Sequence, residues 1–317
     1  MALLRALRLV AKVHAFEVIL AVIAALAVSA LLGSLVVRLR GLGIPLDCWR
    51  LAQVETSLPA QCLRLVEHES LAAGEASLAL AAAMAVPVFV GALLAAPTIS
   101  QEIEQRAIYL SWALDPGRIR WAAVHLAVVL GLVVLLTAVV GLLGDLVESA
   151  RRPYVAADAT FDAFGQRGPI IVTRGLAAAG VGAFWSALTG RAIPGFVLGL
   201  ASAAILIAAS PLWFDRLGQL EAIPESAIRE AAVIEFRYRD RGTGLVQTLA
   251  ELRARSPHEL DSQAYYDWLS QNFTPVPYGY PGRLYPEIVL RQALIEAGVA
   301  VVGVAGAALV LRRRPMP

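Results

Sequence analysis

The chain has 317 residues, 58% of them apolar and only 16% charged, and its mean hydropathy is +0.66. Soluble domains carry charge on about a quarter of their residues, so a wholly water-soluble protein is excluded and lipid must solvate much of this chain. The formal net charge of +2 excludes a whole-chain electrostatic signal for nucleic acid.

Residues 1–14 place Arg5, Arg8 and Lys12 on one helical face, with Leu3, Leu4, Leu7 and Val10 largely on the other. That is the pattern of an interfacial helix on an anionic leaflet. The apolar run that follows is about 23 residues, too long for a signal-peptide core and long enough to span. Six segments qualify as transmembrane helices, near 15–37, 77–96, 121–143, 170–188, 193–213 and 287–311. The fold class expected is therefore all-α and polytopic, with an N-terminal interfacial helix and a small external domain between spans five and six.

Six spans put both termini on one side. The tail Arg312-Arg313-Arg314 and the basic start favour the cytoplasm. With that choice the inner segments carry ten basic residues, namely three at each end plus Arg106, Arg118, Arg120 and Arg191. The outer loops carry seven: Arg38, Arg40, Arg50, Arg64, Arg151, Arg152 and Arg167. Localisation in a bacterial cytoplasmic membrane is expected.

The loop between spans one and two holds both cysteines, Cys48 and Cys62. On an oxidising side they can pair; otherwise they are two thiols in a loop. Pro87 in span two and Pro194 at the start of span five are candidate bends. Beyond span two, Thr98 and Gln101 read as a capping box, and Ile99, Ile103, Ala107, Leu110 and Leu114 form an apolar stripe at helical spacing. Glu102 and Arg106 pair at i,i+4. This helix stops at Asp115-Pro116-Gly117, and Arg118, Arg120 and Trp121 lead into span three. By its residues alone the segment 98–120 is equally an interfacial helix that closes a loop.

Beyond the first turn, three charges fall inside spans. Arg174 lies one turn from the outer end of span four, where it can snorkel. Arg291 and Glu296 lie in the first half of span six. A charge at mid-bilayer costs roughly 2.5–3.5 kcal/mol on insertion scales, so all three are expected to face protein or water rather than lipid, with Arg291 and Glu296 as buried polar residues of the last span, in the plainest case a structural pair. His125 falls within span three. Gly195 and Gly199 form a small-xxx-small face on span five, suited to close packing and to a dimer contact. Between spans five and six, 226–235 reads as a helix, and Ser256 caps a second over 257–269. The proline-rich run 275–281 is not helical. The domain boundaries expected are 1–213 for the first five spans with the 98–120 segment, 214–286 for an extracytoplasmic domain, and 287–317 for span six and the basic tail.

A phosphate-binding P-loop needs a lysine after a Gly-rich loop, and the only lysine is Lys12, in LRLVAKVH. No zinc-protease motif is present among the four scattered histidines. No catalytic, metal or cofactor site is expected in this chain.

The run from Gly91 to Trp121 resembles the second span and first cytoplasmic loop of type-2 ATP-binding-cassette (ABC) export permeases, with Gly91, Pro97, Glu102, Glu104, Leu110, Trp112, Arg118, Arg120 and Trp121 matching. Gln292, Ile295 and Glu296 resemble the opening of that family's last span. Gln101, Arg106-Ala107 and Asp115-Pro116-Gly117 depart from the usual residues. The resemblance implies that the loop after span two contacts a cytoplasmic ATPase subunit, with ATP and Mg bound there. Glu102, Glu104, Arg106, Trp112, Asp115, Arg118 and Arg120 would then couple the two subunits. It also implies a second permease chain, a homodimer being expected, with contacts around spans two and five. The rival readings are a membrane sensor whose external domain binds a ligand, and an intramembrane enzyme using Arg174, Glu296 or His125.

Overall fold

In the computed structural model the described residues are 14–54, 58–104, 118–224, 227–228, 230–257 and 262–313. Two compact units are present. The first comprises Met1–Tyr154, Ala163–Ser210 and Val289–Pro317, and the second Val155–Asp162 and Pro211–Ile288.

The first unit is helical. Its elements are α1 (Ala15–Gly41), α2 (Leu46–Val54), α3 (Arg64–Glu104), α4 (Arg118–Arg151), α5 (Pro169–Thr189) and α6 (Ala192–Ala209). A later helix, labelled α9 (Tyr285–Arg313) in chain order, returns to it. Among the described residues, six helices are long and apolar enough to cross a membrane.

α3 starts earlier than expected, and at its other end it runs unbroken through the expected cap. Nothing between Pro59 and Gly74 interrupts a helix, so residues 64–76, expected in the outer loop, are already helical. Pro87 and Pro97 both lie inside this helix. Thr98 does not cap anything: its hydroxyl donates to the Leu94 carbonyl at 2.6 Å, a bond made within a running helix. At about 1.5 Å per residue the 41 residues extend about 60 Å, against about 30 Å of hydrocarbon. Pro194 falls in the first turn of α6, where no backbone bond is lost, rather than at a bend.

α3 and α5 form the centre of the bundle, each with 67% of its most apolar window buried, against 22% for α1 and 17% for α6. α3 packs on α1, α4, α5 and α6. Side-chain size sets how close these helices come. A Cβ at Gly91 would lie 2.3 Å from the Gly175 carbonyl oxygen, one at Gly180 would lie 2.5 Å from that of Ala300, and one at Gly199 would lie 2.7 Å from the Gly182 Cα. The Gly195/Gly199 face expected at a dimer contact is thus occupied within one chain, by Ser186 and Gly182 of α5.

The second unit departs from the all-α expectation. It holds a four-stranded antiparallel sheet in the order β1-β4-β2-β3, built from β1 (Glu221–Ala222), β2 (Ala232–Asp240), β3 (Val246–Thr248) and β4 (Phe273–Tyr280). The expected helix at 226–235 gives way to β2, whose Val233, Ile234, Phe236 and Tyr238 are β-branched or aromatic and suit a pleated surface. Besides the single turn Pro211–Phe214, the described residues between the strands form α7 (Leu249–Arg255) and α8 (Gln263–Asn272). α8 is capped by Ser262, not Ser256: the Ser262 hydroxyl accepts from the Tyr265 N–H at 3.2 Å.

Proline is unusual inside a sheet, yet β4 carries Pro275 and Pro277. The Pro277 carbonyl accepts from Ile223 N–H at 2.8 Å, so that residue's polar edge faces away from β2. Period-2 geometry turns Pro275 the same way, and β1 covers only Tyr278 and Gly279. No ladder bond to β2 is lost. The core beneath is aromatic: Phe161 lies 5.4 Å from Tyr285, and Phe214 lies 5.5 Å from Tyr280. The Tyr280 hydroxyl donates to the Phe214 carbonyl at 2.9 Å.

Candidate functional site

The end of the bundle where α3 finishes is tied together by polar side chains. Apolar Ile99 and Ile103 are buried, 1% and 6% exposed, and hold the last turns of α3 in the core. Between them Gln101 donates through Nε2 to Glu17 of α1 at 2.6 Å. One turn on, Glu104 accepts from the backbone N–H of Ala192 at 3.3 Å. That N–H belongs to the first turn of α6, where a carboxylate is favoured by orphan donors and by the helix dipole. The last turn of α3 therefore grips both α1 and the α5–α6 hairpin. His14 at the start of α1 and His125 near the start of α4 are also buried.

Of the residues expected to couple to a partner, Glu104 is exposed and makes the bond just given. Glu102 lies in the last turn of α3, and Arg118 and Arg120 open α4; their side chains are outside the described residues. Arg106, Trp112 and Asp115 lie outside the described residues altogether.

A second polar cluster lies between α5 and α9. Arg174 is 5% exposed and Glu296 8%. The Arg174 Nε donates to Glu296 Oε1 at 3.2 Å, and Gln292 Nε2 donates to the same oxygen at 2.8 Å. Thr173 Oγ1 donates to Glu296 Oε2 at 2.5 Å. Arg174 Nη1 also donates to the Gly165 carbonyl. Gly165 adopts φ +78, and a Cβ there would fall 2.7 Å from Arg174 Nη2; glycine is required by both conformation and space. Both charges are thus paired and hydrogen-bonded, which a low-dielectric site demands.

This cluster corrects two expectations. Arg174 does not snorkel; its guanidinium turns inward to Glu296. Arg291 is exposed on the chain's surface, not buried, because five residues along a helix carry it well round from Glu296. Glu296 instead finds its cation on α5. A further ion pair, Arg167–Asp145 at 3.0 Å with the arginine side chain 1% exposed, lies between the α4 end and the loop before α5. Asp145 is an acidic residue at the end of an apolar run, a signal that sequence reading passed over.

Cys48 and Cys62 form a disulfide that holds α2 beside the start of α3. It lies at the end of α3 opposite Glu104. Among the described residues no group of three or more His, Cys, Asp or Glu is placed to hold a metal ion.

The six long apolar helices among the described residues mark an integral, multi-pass membrane protein. The model of the ABC-2 membrane transporter related family matches residues 18–215, most of the chain, and the protein belongs to that family. It is a transporter permease, a component of membrane transport. No curated protein and no solved structure matches the chain.

Proposed function

We propose that this permease is the membrane subunit of an ATP-driven exporter in the cytoplasmic membrane. It pairs with a second permease chain and with cytoplasmic ABC ATPase subunits that hold ATP and Mg. The observation that carries the reading is the unbroken course of α3 from Arg64 to Glu104, through both prolines. A soluble motor can move spans only through a stiff element continuous with them. Force delivered at 105–117 would reach α3 directly, α1 through Gln101–Glu17, and α6 through Glu104–Ala192.

The disulfide supports the orientation. Disulfides persist on the oxidising side of a membrane, and Cys48–Cys62 sits at the α3 end remote from the coupling segment. The 98–120 segment and both termini then face the cytoplasm, and 214–286 lies outside. The enzyme reading is disfavoured because both oxygens of Glu296 already accept bonds from Arg174, Gln292 and Thr173.

The test is purification of the tagged chain from its native membrane. An ATPase of the ABC class is expected to accompany it, and the double substitution Glu102→Ala/Arg106→Ala is expected to loosen that subunit or to uncouple hydrolysis from transport. Purification without an ATPase, or a double variant with unchanged partner and unchanged substrate-stimulated hydrolysis, contradicts the proposal.

A further inference from the structure

A cavity of about 410 Å³ lies at the disulfide end of the helical unit. Leu39, Arg40 and Ile44 come from the end of α1 and its following turn, Trp49 from α2, His68 from the start of α3, and Pro153 from beyond α4. The lining residues combine apolar side chains with Arg40, His68 and Ser149.

The imidazole is the informative group. His68 is 1% exposed. Its Nε2 lies 3.1 Å from the Ala150 carbonyl, one of the C-terminal carbonyls that α4 leaves unpaired. A carbonyl only accepts, so Nε2 carries the proton and Nδ1 presents a bare lone pair. Nδ1 has no partner among the described residues. Trp49 stands edge-on to the ring at 4.8 Å, and Tyr154 packs on Trp49 at 5.3 Å. The adjacent Cys48–Cys62 bond fixes the helix that carries Trp49. An unpaired buried acceptor is costly, and the residue that carries it lines a cavity with polar walls, a place for a hydrogen-bond donor.

Depth identifies the source of that donor. At about 1.5 Å per residue the 27 residues of α1 extend about 40 Å, the thickness of a bilayer with its headgroups. Leu39, Arg40 and Ile44 therefore sit at headgroup level. We propose that this cavity binds a phospholipid whose headgroup ends in a hydrogen-bond donor, a hydroxyl or an ammonium. The phosphodiester pairs with Arg40, the terminal donor bonds His68 Nδ1, and the glyceryl and acyl roots rest on Leu39, Ile44 and Pro153. Phosphatidylcholine, which has a phosphodiester but no donor, is discriminated against.

Native mass spectrometry on the delipidated full-length protein tests this, with equimolar phosphatidylglycerol, phosphatidylethanolamine and phosphatidylcholine. Phosphatidylglycerol and phosphatidylethanolamine are each expected to be retained about 5-fold over phosphatidylcholine, the worth of about one hydrogen bond. His68→Phe is expected to abolish that ratio. Arg40→Gln, an exposed substitution, is expected to lower retention of all three lipids about 5- to 10-fold and leave the ratio intact. Soluble glycerophosphoethanolamine is expected not to compete at equal concentration; effective competition reassigns the site to a soluble phosphodiester and overturns the lipid. A wild-type ratio near one, a ratio that survives His68→Phe, or unchanged retention in Arg40→Gln also overturns it. If His68→Phe does not assemble, the wild-type ratio and the Arg40→Gln result still decide.

Discussion

Glu296 is held by three donors from two helices, and the consequence is measurable. Ordinary interhelical hydrogen bonds in membranes average about 0.6 kcal/mol, since the unfolded chain also finds partners. Removing one member of a buried ion pair strands a charge and costs about 3–5 kcal/mol. Glu296→Ala and Arg174→Ala are each expected near the larger figure, and Arg174→Met/Glu296→Met is expected to cost much less than the sum of the single losses. Reversible unfolding in mixed micelles measures all of them; additive losses would show that the two do not interact. Glycines offer a second contrast. Gly180→Ala must push against Ala300, at about 1–3 kcal/mol, whereas Gly298→Ala meets nothing within 4 Å and is expected to leave thermal stability unchanged or raised.

His14, just ahead of α1, gives a pH dependence. Burial holds its imidazole below the ordinary 6.5, against the opposing pull of Glu17. The unfolded chain therefore binds the proton more readily, and stability is present above about pH 6.5 and lost as pH falls from there through the lowered value. A thermal-stability profile from pH 8 to 5 is expected to slope down on the acid side, less so in His14→Gln. An unchanged slope in that variant would remove His14 as its cause.

The elements of the bundle were legible for a plain reason: in lipid every backbone group must be paired within its own helix, so an apolar run of sufficient length has one outcome. Boundaries were less so. Thr98-Ile-Ser-Gln101 has the composition of a helix start, but Thr98 and Ser100 bond to carbonyls four residues back, and the buried Ile99 and Ile103 keep the helix going. β2 was missed although Ile234, Phe236 and Tyr238 alternate with Glu235, Arg237 and Arg239, a period-2 signal that the helix expected over 226–235 overran, and β4 was missed because its prolines conceal a strand whose edge tolerates them. The pairing of Arg174 with Glu296 joins residues separated by 122 positions, a relation that no local pattern carries. At this scale the disulfide is the clearest test. It closes a loop with a separation of 14 residues, worth roughly 3 kcal/mol in the chain-entropy account. Cys48→Ser/Cys62→Ser is expected to lower the thermal midpoint, and reduction of the native protein to do the same; no change in either would mean that α2 is held by packing alone.

At the scale of the whole molecule, the described helices form a bundle with α3 and α5 the most buried, and the proposed function makes α3 the lever that a cytoplasmic ATPase would move. On the proposed orientation the disulfide end of α3 faces the oxidising side and the Glu104 end faces the cytoplasm. Transport thus depends on where residues 105–117 lie relative to the bilayer. The direct measurement is labelling of an Asp115→Cys variant by a membrane-impermeant maleimide, in intact cells and in inverted membrane vesicles. The account predicts protection in intact cells and labelling in inverted vesicles. Labelling from the outside of intact cells, with protection in inverted vesicles, would put the segment beyond the reach of any cytoplasmic ATPase and contradict the proposed function.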